Sequence, residues 1–100
     1  MAREEDLLRE AIAQAEHSLV QATGNAPLCR TDANVQSAKY WEGQWAALRA
    51  LRGRISECDA DLAAAESSLE THTGIAWVSY FRGAVDALTE LRASLSSTAT

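Results

Sequence analysis

Ala15-Glu16-His17-Ser18-Leu19-Val20-Gln21-Ala22-Thr23-Gly24 is matched fifty residues later by Ala65-Glu66-Ser67-Ser68-Leu69-Glu70-Thr71-His72-Thr73-Gly74, with six of ten positions identical. A second correspondence follows at an offset of forty: Tyr40-Trp41-Glu42-Gly43 with Tyr80-Phe81-Arg82-Gly83, then Ala47-Leu48 with Ala87-Leu88 and Leu51-Arg52 with Leu91-Arg92. Any two amphipathic helices share Ala and Leu. A shared Thr-Gly, followed by a shared Tyr-aromatic-x-Gly in the same order, is more specific. The chain therefore reads as a single domain built from one unit used twice, over residues 4–52 and 55–95. Ten extra residues of the first copy fall within Asn25 to Lys39.

Each unit reads as helix, Thr-Gly stop, loop, helix. Leu8, Ile12, Ala15, Leu19 and Ala22 alternate spacings of four and three, which lays one apolar stripe along a helix. Gly24 stands where a C-terminal glycine belongs, Pro27 follows, and Thr31 or Asp32 can cap the next helix. Ile55, Cys58, Leu62, Ala65, Leu69 and His72 repeat the spacing in a third helix that Gly74 ends. Val78, Phe81, Val85, Leu88 and Leu95 predict a fourth, with Leu91 beside the stripe. Leu48, Leu51, Ile55 and Cys58 keep helical spacing straight across Gly53, which as a helix breaker costs only about 1 kcal/mol. The fold class is thus all-α. The two related hairpins form either a four-helix bundle turning at Gly53, or three helices with a long central one suited to a dimer.

Composition agrees and narrows the function. Of 100 residues 47% are apolar, many of them Ala, and Pro occurs once. This is enough for a core and leaves few helix breakers. No run of apolar residues is long enough for a membrane span, and the start, Met1-Ala-Arg-Glu-Glu-Asp6, has no apolar signal-peptide core, so a cytoplasmic location is expected. The net charge of -5, from 14 acidic and nine basic residues, argues against a nucleic-acid partner. Between Ile55 and His72 stand Glu57, Asp59, Asp61, Glu66 and Glu70 with no basic residue, just after Arg49, Arg52 and Arg54. The acidic helix can be simply solvated or can dock a basic surface.

Gly43 and Gly83 hold equivalent places inside helices. Such positions point to close helix approach, with Ala13, Ala15, Ala63 or Ala65 opposite. Trp41-Glu42-Gly43, near the middle of a chain of 100 residues, also resembles the WXG family of small secreted helical hairpins, whose length, acidity and helix content are similar. The resemblance implies a secreted hairpin with the Trp and Gly in the turn between two long helices. The chain departs from that pattern in three places. Its turn signal is Thr23-Gly24-Asn25-Ala26-Pro27, a second Phe81-Arg82-Gly83 occupies the equivalent place, and Tyr80 is followed four residues later by Ala84 where the family's export tail has an acidic residue.

Two Cys and two His match the ligand count of a zinc site without its spacing. Cys58 and His72, fourteen residues apart on one helix, are separated by roughly 21 Å. Cys29 lies beside Arg30, which would lower a thiol pKa, and His17 is the base available to it; a small cysteine-dependent enzyme or a metal protein is accordingly a further alternative. No catalytic or metal-binding residue and no cofactor is assigned.

Six aromatic residues cluster at Tyr40, Trp41, Trp45, Trp77, Tyr80 and Phe81. A domain of this size does not easily enclose three Trp, and Trp and Tyr are the usual anchors of interfaces. The function most compatible with these features is a non-catalytic protein-binding module acting as an adaptor, inhibitor or regulatory subunit. Another protein is the expected partner, and a homodimer is possible. Where two copies differ, one has room to specialise. The excess between Gly24 and Tyr40 and the aromatic turn beyond it, with Leu28, Arg30, Asp32, Tyr40, Trp41 and Trp45, are therefore the expected partner-binding residues.

Overall fold

A computed structural model describes residues 2–24 and 32–99, with side chains over 3–22 and 38–97. The described residues are all-α: α1 (Ala2–Gly24), α2 (Asp32–Ala50), α3 (Cys58–Thr71) and α4 (Ile75–Ala99), with a single 3-10 turn at Ile55–Glu57 ahead of α3. No described helix is long and apolar enough to cross a membrane.

The chain turns at Gly53, which excludes the long central helix. Gly53 has φ of +75°, in the left-handed region where only glycine is unstrained, and a Cβ there would meet no neighbouring atom. The last turn of α2 tightens, with Leu51 N–H donating to Leu48 O (3.1 Å) and Arg54 N–H to Leu51 O (2.7 Å). Arg54 then fastens the corner: its Nη1 donates to the Ala50 carbonyl at 2.7 Å, and its guanidinium meets Asp61 at 3.3 Å. A cation on the terminal carbonyls of a helix also complements its dipole. The helical spacing continues across Gly53 because Leu51 and Cys58 enter one core from two helices, both buried.

The other end of α3 is closed by His72 rather than by glycine geometry. His72 N–H bonds Ser68 O at 3.1 Å, and its Nδ1 lies 2.8 Å from the same carbonyl. Gly74 lies in the bend beyond, and its carbonyl accepts from Val78 N–H at 2.9 Å in the first turn of α4.

α1 lies against α2 and α3 against α4, while α2 and α4 share the most extensive pairing. The start of α1, the Gly53 corner and the last turns of α4 gather at one end: Leu8 and Ile12 face Arg52 and Gly53 across one cleft, and Glu4, Ile55, Arg92 and Leu95 line another. Each hairpin is thus antiparallel, and α2 and α4 run side by side in the same direction. Two glycines allow this central contact. A Cβ on Gly43 would overlap the Tyr80 carbonyl oxygen, and one on Gly83 would overlap the Tyr40 carbonyl oxygen. The contact is reciprocal, with each Tyr-x-x-Gly segment pressing its glycine onto the tyrosine peptide of the other. Close approach was expected at both glycines, but the groups opposite are not Ala13, Ala15, Ala63 or Ala65. Ala13 and Ala63 are exposed, and Ala15 and Ala65 are buried elsewhere in the core.

The core follows from this arrangement. Leu8 and Ala15 come from α1, Leu48 and Leu51 from α2 and its corner, Cys58, Leu62 and Ala65 from α3, and Ala84, Ala87, Leu88 and Leu91 from α4. The α4 stripe differs from the sequence reading, since Ala84, Ala87 and Leu91 are buried while Val78, Phe81 and Val85 are only half-buried. α4 touches three helices, so its buried surface is wider than one stripe and is centred on the residues next to α2.

Candidate functional site

Three helices remote in sequence frame a groove of about 550 Å³. Half-buried Leu7 and Ala11 of α1 line it above the buried Ala15 of α1, Leu48 of α2, and Ala87 and Leu91 of α4, and most of its accessible lining is polar. Tyr40, Trp41 and Gln44 form the α2 wall. Small Ala side chains on two of the three helices keep the floor low. Among the described residues the charged side chains lining the groove are Glu10 on α1 and Glu90 on α4, both exposed.

The α2 wall is held in place by a polar link between the hairpins. Tyr40 OH donates to Asp86 Oδ2 at 2.6 Å, and Gln44 Nε2 donates to the Tyr40 oxygen at 3.2 Å. Burial first, and then the bond to Asp86, push the Tyr40 phenol up to about 12. The hydroxyl therefore stays protonated and remains a donor across the physiological range. Trp41 packs edge-on against the Tyr40 ring at 4.9 Å. Trp45 lies outside this groove. The ring is half-buried against the core, its Nε1 is buried with no hydrogen-bond partner, and the Arg49 guanidinium sits 4.7 Å from its ring centroid in a cation–π contact.

Of the residues expected to bind a partner, the fold brings Tyr40 and Trp41 to the groove and leaves Trp45 aside. Leu28 and Arg30 lie outside the described residues. Asp32 opens α2, and its side chain is also outside them. The sequence reading missed the other two walls. Glu10, Gln14 and Ser18 look like an ordinary solvated face of α1, and nothing local distinguishes Glu90 or Ser94. Their one signal is that Leu7, Ala11, Gln14 and Ser18 form a line beside the buried stripe through Leu8 and Ala15.

A second aromatic surface lies at the opposite end of the bundle from Gly53. Ile75 and Trp77 are 65% and 54% exposed. Trp77 stacks on Phe81 at 6.0 Å, and Phe81 touches the His72 ring at 4.8 Å. The expectation that at least one Trp stays partly exposed is met by Trp77.

The alternatives of a metal or cysteine site have these positions. Among the described residues no three His, Cys, Asp or Glu side chains converge as metal ligands, and Cys58 and His72 stand at opposite ends of α3. Cys58 is buried with its Sγ 3.8 Å from Leu88 O, and burial, reinforced by Asp59, pushes its thiol up, away from the thiolate form a nucleophile needs. His17 is exposed, and Cys29 lies outside the described residues. Trp41-Glu42-Gly43 sits within α2, where Gly43 serves the helix crossing, rather than in a turn between two helices.

Together, the described residues define an all-α bundle of two hairpins with a groove between α1, α2 and α4. No family model, curated protein or solved structure matches the chain.

Proposed function

We propose that this chain is a non-catalytic protein-binding module, an adaptor, inhibitor or small regulatory subunit, that receives its partner on the face where α1, α2 and α4 meet. The observation that carries the reading is the wall of the groove: Tyr40 and Trp41, two residues of the kind that anchor interfaces, stand together over half-buried Leu7 and Ala11. Tyr40 is fixed by Asp86 and Gln44, so the wall it forms is rigid before a partner arrives. Preorganised anchors lower the ordering cost of association. The net charge of -5 favours a protein with basic surface over nucleic acid. A cytoplasmic location belongs to this reading and is checked by cell fractionation.

The test is retention of a specific partner from the native host by the immobilised chain, identified by mass spectrometry. Trp41→Ala and Trp77→Ala are compared as single variants. With helix content unchanged by circular dichroism, Trp41→Ala should reduce retention at least fivefold, and Trp77→Ala should leave it unchanged. A folded Trp41→Ala variant that retains the partner fully, or the absence of any specific partner, overturns the proposal.

A further inference from the structure

We propose that the Gly53 corner is a hinge through which two copies of this chain exchange hairpins, so that α1 and α2 of one copy pack on α3 and α4 of the other. The first support is the interface between the hairpins. They meet chiefly through α2 and α4, and their shared core sets Leu48 and Leu51 of the first beside Ala84, Leu88 and Leu91 of the second. Neither hairpin buries those residues without the other. The crossing is reciprocal, with Gly43 on the Tyr80 peptide and Gly83 on the Tyr40 peptide, and Tyr40 OH donates to Asp86 at 2.6 Å. Each of these contacts joins one hairpin to the other. A second copy therefore supplies either side of the crossing without any new surface.

The second support is the connection. It is short and bends at adjacent residues: Gly53 has φ of +75°, and Arg54 has φ of −138° and ψ of 34°. The turns on either side are tight and regular, with Arg54 N–H donating to Leu51 O at 2.7 Å and Glu57 N–H to Arg54 O at 2.8 Å. Rotation at Gly53 and Arg54 swings one hairpin off the other while all four helices stay intact. The side-chain bonds that hold the corner, from Arg54 to the Ala50 carbonyl and to Asp61, face solvent, where such pairs hold weakly. A short bent hinge favours exchange, because a second copy restores every interface contact and the bend is released. In the exchanged dimer each groove is built by two copies, with Tyr40 and Trp41 from one and Ala87, Glu90 and Leu91 from the other.

The experiment uses the full chain, refolded from urea at high concentration and read by size exclusion with light scattering. Salt of about 0.15 M screens the repulsion between chains of net charge -5. Gly53→Ala strains the closed corner, where φ is positive, and leaves an opened one relaxed. That bias is about tenfold per corner, and a dimer opens two, so its dissociation constant should fall roughly a hundredfold below the parent's. Arg54→Ala, which removes both corner bonds, should tighten the dimer about tenfold. Inserting Gly-Ser-Gly after position 53 of the Gly53→Ala chain relaxes the closed turn and should restore the monomer. Exchange requires the α2–α4 interface to open, so an isolated dimer should persist on dilution at least as long as the monomer takes to unfold. Ile75→Ser with Trp77→Ser, on the exposed aromatic surface, should leave the Gly53→Ala dimer unchanged. A Gly53→Ala chain that stays monomeric, a dimer that survives the insertion, one that dissociates faster than the monomer unfolds, or one lost with Ile75→Ser and Trp77→Ser each overturns the inference.

Discussion

Alanine at Gly83 should destabilise the protein, although alanine is by about 1 kcal/mol the better helix former. The new Cβ would overlap the Tyr40 carbonyl oxygen and crowd Gln44 N. Both are main-chain atoms of α2, so no side-chain rotation relieves the clash and the helices must part. A separation of about 1 Å forfeits up to half of the dispersion attraction of the atoms it pulls apart. The loss falls on the most extensive helix pairing in the molecule. Overpacking of this kind typically costs about 1–3 kcal/mol, and occasionally more. After the propensity gain, a net loss of about 2 kcal/mol is expected, lowering the melting temperature by roughly 10 °C for a domain this small. Gly43→Ala should behave alike, because its Cβ meets the Tyr80 carbonyl oxygen. The double variant should cost less than the sum, since the first methyl already opens the shared crossing. Gly74→Ala is the control: its Cβ would meet only Trp77 Cδ1 at an ordinary 3.7 Å, and its stability should change by less than about 0.5 kcal/mol. Leucine sharpens the contrast, because Gly83→Leu should cost far more than Arg82→Leu, Arg82 being exposed. The assay is urea unfolding followed by circular dichroism at fixed slope. A Gly83→Ala variant as stable as the parent, or more so, would refute a close crossing of α2 and α4.

Three further outcomes follow from the same contacts. Leu51→Ala and Leu88→Ala, at positions 0% and 1% exposed, should each cost about 2–5 kcal/mol in chemical unfolding, whereas Ile75→Ala at 65% exposure should cost well under 1 kcal/mol. Tyr40→Phe should lose about 1 kcal/mol at neutral pH by leaving Asp86 without its donor. The folded phenol is pushed up to about 12, against roughly 10 when unfolded, so its contribution is complete below pH 10 and is lost as pH rises through 12. The stability difference between parent and Tyr40→Phe should therefore shrink over that interval, and a constant difference would count against the bond. In a Cys29→Ser background, Cys58 should react with a thiol reagent only as fast as the protein opens, because burial pushes its thiol up and encloses it; rapid labelling of the folded chain would contradict that environment.

Much of the architecture is local and was therefore legible. The apolar spacing of Leu8, Ile12, Ala15 and Leu19 and of Ile55, Cys58, Leu62 and Ala65 reports helices because residues three and four apart share a face. The special status of Gly43 and Gly83 was also legible, since a helix does not favour glycine for its propensity. What each glycine faces was not, because the Tyr40 and Tyr80 peptides reach them only when two helices forty residues apart are brought together. The choice between a turn and a rod at Gly53 was balanced for the same reason. A glycine costs the helix little, and the balance is tipped by Arg54 binding Ala50 and Asp61 and by Leu51 and Cys58 sharing a core.

The candidate site divides along the same line. Tyr40 and Trp41 stood out by residue type, whereas Glu10 and Glu90 have the local signature of any solvated acid. By itself, then, the sequence determined which segments are helical and which glycines are special. Only the tertiary structure decided that α4 is buried on more than one side, that Trp45 lies outside the groove beside Arg49, and that α1, α2 and α4 enclose the groove. The physical reason is range. Propensity, capping and periodicity act within a few residues of the chain, while a groove exists only where Leu7, Leu48 and Leu91 are held together by the packing of separate helices.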